Sequence, residues 1–301
     1  MSRPAVAPLA TDSGRGAREQ AMKFLSFRHR GKDRYGAVVG EGVVDLGRHV
    51  PYPSLKALLA ADALGAARCV AERETRDLAL GEISYLPVIP NAEKIILAGL
   101  NNEFHRKEAG EARPAYPLLF TRFADAHVGH GQPIVKPKAS DEFDYEGELA
   151  LVIGRGGRHI STEQALDHVA GYTCFNDGTA RDWEFHTSQY IAGKNFHRSG
   201  SFGPWLVTSD EIPDPTRLVL VTRLNGAEVQ RTLTGDLIYS IPELIAYISA
   251  FTPLGPGDVI SAGTPGGTGY DRNPRLFMKP GDVVEVEISG IGTLRNPIVE
   301  E

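Results

Sequence analysis

The sequence predicts a β-rich α+β fold, and three observations carry that expectation. The 33 glycines and 20 prolines are spread along the chain, and frequent tight turns imply many short strands. Several segments alternate apolar and polar residues at the strand period of two. Helical spacing is confined to a few stretches. A chain of 301 residues has room for one large domain with a small companion.

Residues 1–21 lack the apolar run of a secretory signal and read as a flexible tail. Arg3, Arg15 and Arg18 suit a transit peptide, whereas Asp12 and Glu19 oppose one. Met22 reads as the start of folded sequence. Between Lys23 and Leu46, KFLSFRH, RYGAVVG and GVVDLG alternate as strands around glycine turns, which predicts an antiparallel meander. Ser54–Glu74 is rich in Ala and Leu at helical spacing, and Pro87 and Pro90 close a small N-terminal α+β domain over 22–90. The remainder, 91–301, is expected to form a second, larger domain.

In that second part KIILAG, LLFTRF, IVKP and YEGELALVIG read as strands, with EFHRKEAG a short exposed polar helix. STEQALDHVAGY is expected as a helix capped by Ser161, followed by the strand YTCFND. SIPELIAYISAFTPL is the clearest amphipathic helix, with Pro242 in its first turn and Leu244, Ile245, Ile248 and Phe251 on one face. Two Pro-Gly-Asp-Val turns, at 256–259 and 280–283, lead into strands.

A net charge of −6 and the absence of a dense Lys/Arg run disfavour nucleic acid as a partner. No stretch reaches the roughly 20 apolar residues that a membrane-spanning helix requires. Cys69 and Cys174 form no metal-type pair and suit a reducing compartment, the cytoplasm, with a single disulfide as the alternative.

Glu146 and Glu148 flank Gly147 in an alternating segment, so their side chains share one face of a strand. Two inward carboxylates repel each other unless a cation neutralises them; the plainer reading is an exposed edge with two solvated glutamates. Asp177 ends the strand YTCFND, where an aspartate before glycine is also a common turn former. Three oxygen ligands with no Cys or His beside them suit a hard cation, Mg²⁺ before Mn²⁺ or Ca²⁺. Neither a P-loop nor a Gly-x-Ser-x-Gly elbow is present, and His127 and His130 in HVGHG read as turn residues.

DYEGELALVIG, FNDGTARDWE, AGKNF, FGPW and GDVISAGTPGG, in that order, resemble the fumarylacetoacetate hydrolase superfamily over residues 94–299. The resemblance implies a mixed β-roll with flanking helices, a homodimer, and a divalent cation held by Glu146, Glu148 and Asp177. It implies a catalytic pair in His105 and Glu108, which share a helix face at i and i+3, on a segment that acts as a lid. Lys194 is implied as the lysine that meets substrate oxygens beside the metal. Arg181 either binds substrate or ties the Asp177 loop to Asp182. Gln189, Tyr190 and Thr264 are implied pocket residues. Glu184, His197 and Arg198 depart from the family pattern where substrate shape is read.

The activity so implied is hydrolysis of a carbon–carbon bond in a 2,4-dioxo acid of acylpyruvate or fumarylpyruvate type, in aromatic catabolism. It would proceed through a metal-stabilised enolate, with His105 activating water. Oxaloacetate-type decarboxylation and hydroxymuconate-type isomerisation or hydration are the alternatives on the same site.

Overall fold

The computed structural model describes residues 21–301. The tail expected over 1–21 lies outside the described residues apart from Ala21. The fold is β-rich α+β, as expected, with mixed sheets. Among the described residues no helix is long and apolar enough to cross a membrane.

The meander forms as Lys23–His29, Lys32–Val39 and Gly42–Asp45. Lys23 pairs with Val207 and Phe24 with Leu206, which joins it to the larger sheet through the Gly200–Thr208 strand. That sheet continues through Val169–Asn176, Gly147–Ile153, Val259–Ser261, Ile95–Gly99 and Leu118–Thr121. Its pairs are antiparallel except Val259–Ser261 with Ile95–Gly99 and the short His127–Val128 strand on Gly200–Thr208. A five-stranded sheet built from Val219–Leu224, Ala227–Leu233, Val283–Ile288, Gly292–Glu300 and Ile134–Lys136 packs against it.

The Gly147–Ile153 strand is buried on both faces. Leu149, Leu151 and Ile153 enter a core with Leu244, Ile245 and Ile248 of the Ile241–Phe251 helix, whereas Ala150 and Val152 enter another with Leu55, Leu58 and Leu59. Glu146 and Glu148 therefore take the parity of Ala150 and Val152, opposite to the leucines. Gly147 faces the five-stranded sheet, where an added Cβ would meet Thr222 Oγ1 at 2.0 Å. Only glycine lets the two sheets approach that closely here.

Two local expectations need correction. Residues 162–168 make turns and a short 3₁₀ helix, Ala165–His168, in place of the α-helix expected at STEQALDHVAGY. Leu166 is exposed there, so no apolar stripe supports a helix, and the sheet takes the chain from Val169 onward. The Ile241–Phe251 helix has the capping box of Ser240 and Glu243 and buries Leu244, Ile245 and Ile248. Phe251, at its last position, instead projects into solvent beside Tyr247.

Candidate active site

Glu146 and Glu148 are both buried, so the solvated-edge reading falls. Asp177 follows Asn176 at the end of the neighbouring strand, which pairs Gly147 with Asn176 and so brings the three carboxylates together. Each offers an oxygen within 4.8 Å of the others. Asn176 Oδ1 accepts from the Glu146 N–H at 3.1 Å, and Asp177 N–H donates to the Glu146 carbonyl at 2.9 Å. Gln230 accepts from Gly147 N–H at 2.9 Å and donates to Thr264 Oγ1 at 2.9 Å, tying the strand to the GTPGG turn.

Two short helical turns deliver the cations. Arg181–Glu184 and Ile191–Lys194 cross so closely that a Cβ on Gly193 would lie 2.4 Å from the Glu184 nitrogen. Arg181 thereby reaches Asp144 at 2.9 Å, Glu146 at 2.7 Å and Glu184 at 2.9 Å. Lys194 Nζ lies 2.6 Å from Glu146, 2.7 Å from Asp177 and 3.5 Å from Glu184. Arg122 donates to Asp177, to the Gly178 carbonyl at 2.9 Å and to Ser199 Oγ at 2.7 Å. The tie from Arg181 to Asp182 is not formed, since consecutive helical residues point apart and Asp182 accepts from Ser140 at 2.5 Å.

Electrostatics separate the two glutamates. Burial pushes Glu146 up, but Lys194 and Arg181 outweigh it and hold the carboxyl below its ordinary range. Glu148 goes the other way: burial, then Asp177 and Glu146, push it well above. Among the described residues no cation pairs with it, and it accepts from the Ser261 hydroxyl and from the Gly263 N–H at 3.3 Å. Five buried carboxylates (Asp144, Glu146, Glu148, Asp177, Glu184) meet three buried cations (Arg122, Arg181, Lys194), leaving two negative charges when all are ionised. An all-oxygen triad with that excess fits a divalent cation.

A cavity of about 280 Å³ opens over this cluster. Glu146, Glu148, Arg181, Glu184, Lys194, Tyr190, Thr264 and His105 all line it; Gln189 is exposed and outside the lining. Tyr190 holds a left-handed φ of 64° at the start of the turn that presents Lys194. The Glu103–Glu108 helix forms as expected, but His105 is buried on it. Burial lowers its pKa, with Arg181 in the same sense, against the opposing pull of Glu146, Asp271 and Glu108. Glu108 is not hydrogen-bonded to His105; it accepts from Gly267 N–H at 2.7 Å. His127 packs edge-on against Phe175 and Phe202, and His130 against Tyr85, away from the cavity lining.

Residues 94–299 match the model of the fumarylacetoacetate hydrolase C-terminal family. This chain belongs to that family. The family's curated members include the mitochondrial oxaloacetate tautomerase of Xenopus laevis, 42% identical over 239 residues that cover 79% of this chain and 75% of that protein. Among solved members, fumarylacetoacetate hydrolase from Exiguobacterium antarcticum is 31% identical with a TM-score of 0.79, covering 93% of this chain and 100% of its own. Maleylpyruvate hydrolase from Sphingobium, solved with manganese(II) and pyruvate, is 26% identical with a TM-score of 0.77, covering 93% and 99%.

Arg122, Asp144, Ser261, Gln230 and Asp271 were not foreseen as parts of this family site. Arg122 in LLFTRF carried one usable signal, a lone cation ending an apolar strand, and Asp144, two residues before Glu146, carried another. Ser261, Gln230 and Asp271 are brought in by chain segments remote in sequence.

Proposed function

We propose that this chain interconverts the enol and keto forms of oxaloacetate or a close 2-oxo dicarboxylic acid. The observation that carries the reading is His105: a buried imidazole, favoured in its neutral form, in one cavity with two buried cations. The likeness to oxaloacetate tautomerases supports it. Arg181 and Lys194 supply fixed positive charge for the carboxylate and carbonyl oxygens of the substrate. His105 moves the proton between C3 and the C2 oxygen, which is the whole of the reaction. Glu146, Glu148 and Asp177 would hold the cation, Mg²⁺ by preference with Mn²⁺ next, and when bound it would polarise substrate oxygens. Thr264 and Tyr190 complete the walls.

Hydrolysis of a 2,4-dioxo acid is the second reading, supported by the solved maleylpyruvate hydrolase. It asks more of the site, because a water must be oriented for attack in addition to the proton transfer. An aromatic-catabolic role stands or falls with it. Unpaired Cys69 and Cys174 support a reducing compartment such as the cytoplasm, while the tautomerase relative is mitochondrial by name. A homodimer belongs to the same proposal: exposed Tyr116, Tyr247 and Phe251 form an aromatic cluster of the kind that subunit contacts cover, and sedimentation tests it.

The decisive assay follows the decay of enol-oxaloacetate absorbance with Mg²⁺ or Mn²⁺, beside pyruvate release and acetylpyruvate cleavage. Accelerated ketonisation without pyruvate supports the tautomerase. Pyruvate and CO₂ from oxaloacetate would replace it with a decarboxylase, and cleavage of acetylpyruvate alone with the hydrolase.

A further inference from the structure

His105 presents one ring nitrogen, Nδ1, that is buried and has no hydrogen-bond partner. An unpaired polar atom in a low-dielectric site is costly, so such a group needs either a role or a partner within reach. Four charged groups act on the ring: Glu146, Asp271 and Glu108 favour the imidazolium, and Arg181 opposes it. Only Asp271 lies within ion-pair range of Nδ1, its Oδ2 standing 3.6 Å away. The same oxygen accepts from Thr268 Oγ1 at 2.8 Å, so its position is held from its own turn. Glu108 is committed elsewhere, to Gly267 N–H.

We propose that Asp271 is the positioning residue for His105, accepting the Nδ1 proton so that Nε2 is left as the nitrogen that works on the substrate. Glu108 serves as a latch, fastening the Glu103–Glu108 helix to the Gly266–Gly267 turn. A separation of 3.6 Å is beyond hydrogen-bond range, and catalytic pairs in ligand-free sites commonly tighten only when substrate arrives. A carboxylate behind an imidazole fixes the tautomer and raises basicity, whatever reaction the other nitrogen serves. Asp271 comes from the turn after GTPGG, so the carboxylate partner is drawn from the far end of the chain and not from His105's own helix.

The test has two arms, of which only the kinetic one rests on the proposed function. In the first, the His105 ring is titrated by NMR in the full-length protein, with Asp271→Asn and Glu108→Gln beside it and His105→Gln to assign the resonance. Asp271→Asn lowers the titration midpoint and shifts the tautomer away from Nδ1–H, and Glu108→Gln moves both less. In the second, Asp271→Asn lowers kcat roughly tenfold or more with KM little changed, and the acid limb of kcat/KM moves to lower pH. Asp271→Glu recovers part of the loss. An unaltered ring titration in Asp271→Asn, or an equal or larger response in Glu108→Gln, overturns the assignment. If the ring responds as stated but no 2-oxo acid is turned over, the positioning role stands and the proposed function is what fails.

Discussion

Lys194 places its ammonium 2.6 Å from Oε2 of Glu146, with both groups buried. The same nitrogen meets Asp177 at 2.7 Å, so one lysine supplies much of the positive charge those carboxylates demand. Glu148, on the same strand face, has no direct ion pair among the described residues. A site that is compensated at one glutamate and uncompensated at the next is prepared for an additional cation.

Cation binding is therefore expected to stabilise the fold. At about a hundredfold excess over Kd, binding contributes roughly 2.7 kcal/mol, on the order of 4 °C in Tm for a chain of this size. Differential scanning with Mg²⁺, Mn²⁺ and Ca²⁺ measures this, and Glu148→Gln should abolish most of the gain. An unmoved Tm with every cation would remove the metal from the site.

Replacing Lys194 by Met strands Glu146 and Asp177 without their shared partner. Breaking a buried pair from one side costs about 3–5 kcal/mol, so the metal-free variant should unfold at markedly lower denaturant. Because a divalent cation can supply the missing charge, the variant should gain more from Mg²⁺ than the parent does. An equal gain in both proteins would show that lysine and metal do not share these carboxylates.

Glu148 gives the metal-free protein a pH signature. Its folded pKa is raised by burial, Asp177 and Glu146, so the folded state holds a proton that the unfolded chain releases near 4.5. Native protein then binds more protons than unfolded, and stability falls as pH rises from that point toward the folded value. Chelator-treated protein should show this fall, and Glu148→Gln should lack it. Metal affinity should climb over the same range, since the ligand must be ionised. Parallel curves for the parent and the variant would refute the assignment.

Gly147→Ala drives a methyl into Thr222 Oγ1 and pushes the strand that carries the glutamates away from the Val219–Leu224 strand. Overpacking of this kind costs about 1–3 kcal/mol, and the cation response should weaken with it. Thr222→Ala in the same chain should restore part of both. If the double variant behaves as the sum of the singles, the contact does not transmit to the site.

Much of this was legible in the residues themselves. Glu146 and Glu148 were placed on one face by strand parity, and Pro242 marked the first turn of the long helix. The helix expected at Ser161 failed because neighbouring strands recruited the chain from Val169, an influence local propensity does not contain. His105 looked like a solvated residue on a polar helix. Its burial comes from the cavity wall it meets, not from its own neighbours in sequence.

Alternation, capping and turn chemistry act over a few residues, and so the strands, the paired glutamates and the β-rich class were readable along the chain. Which cation answers which carboxylate was decided only in three dimensions. Arg122 finds Asp177 across 55 residues, and Asp271 reaches His105 from the opposite end of the domain. Such pairs form where the packing of two sheets brings their backbones together. Coulomb attraction then selects among the charges already present there, and nothing in the spacing along the chain encodes that choice.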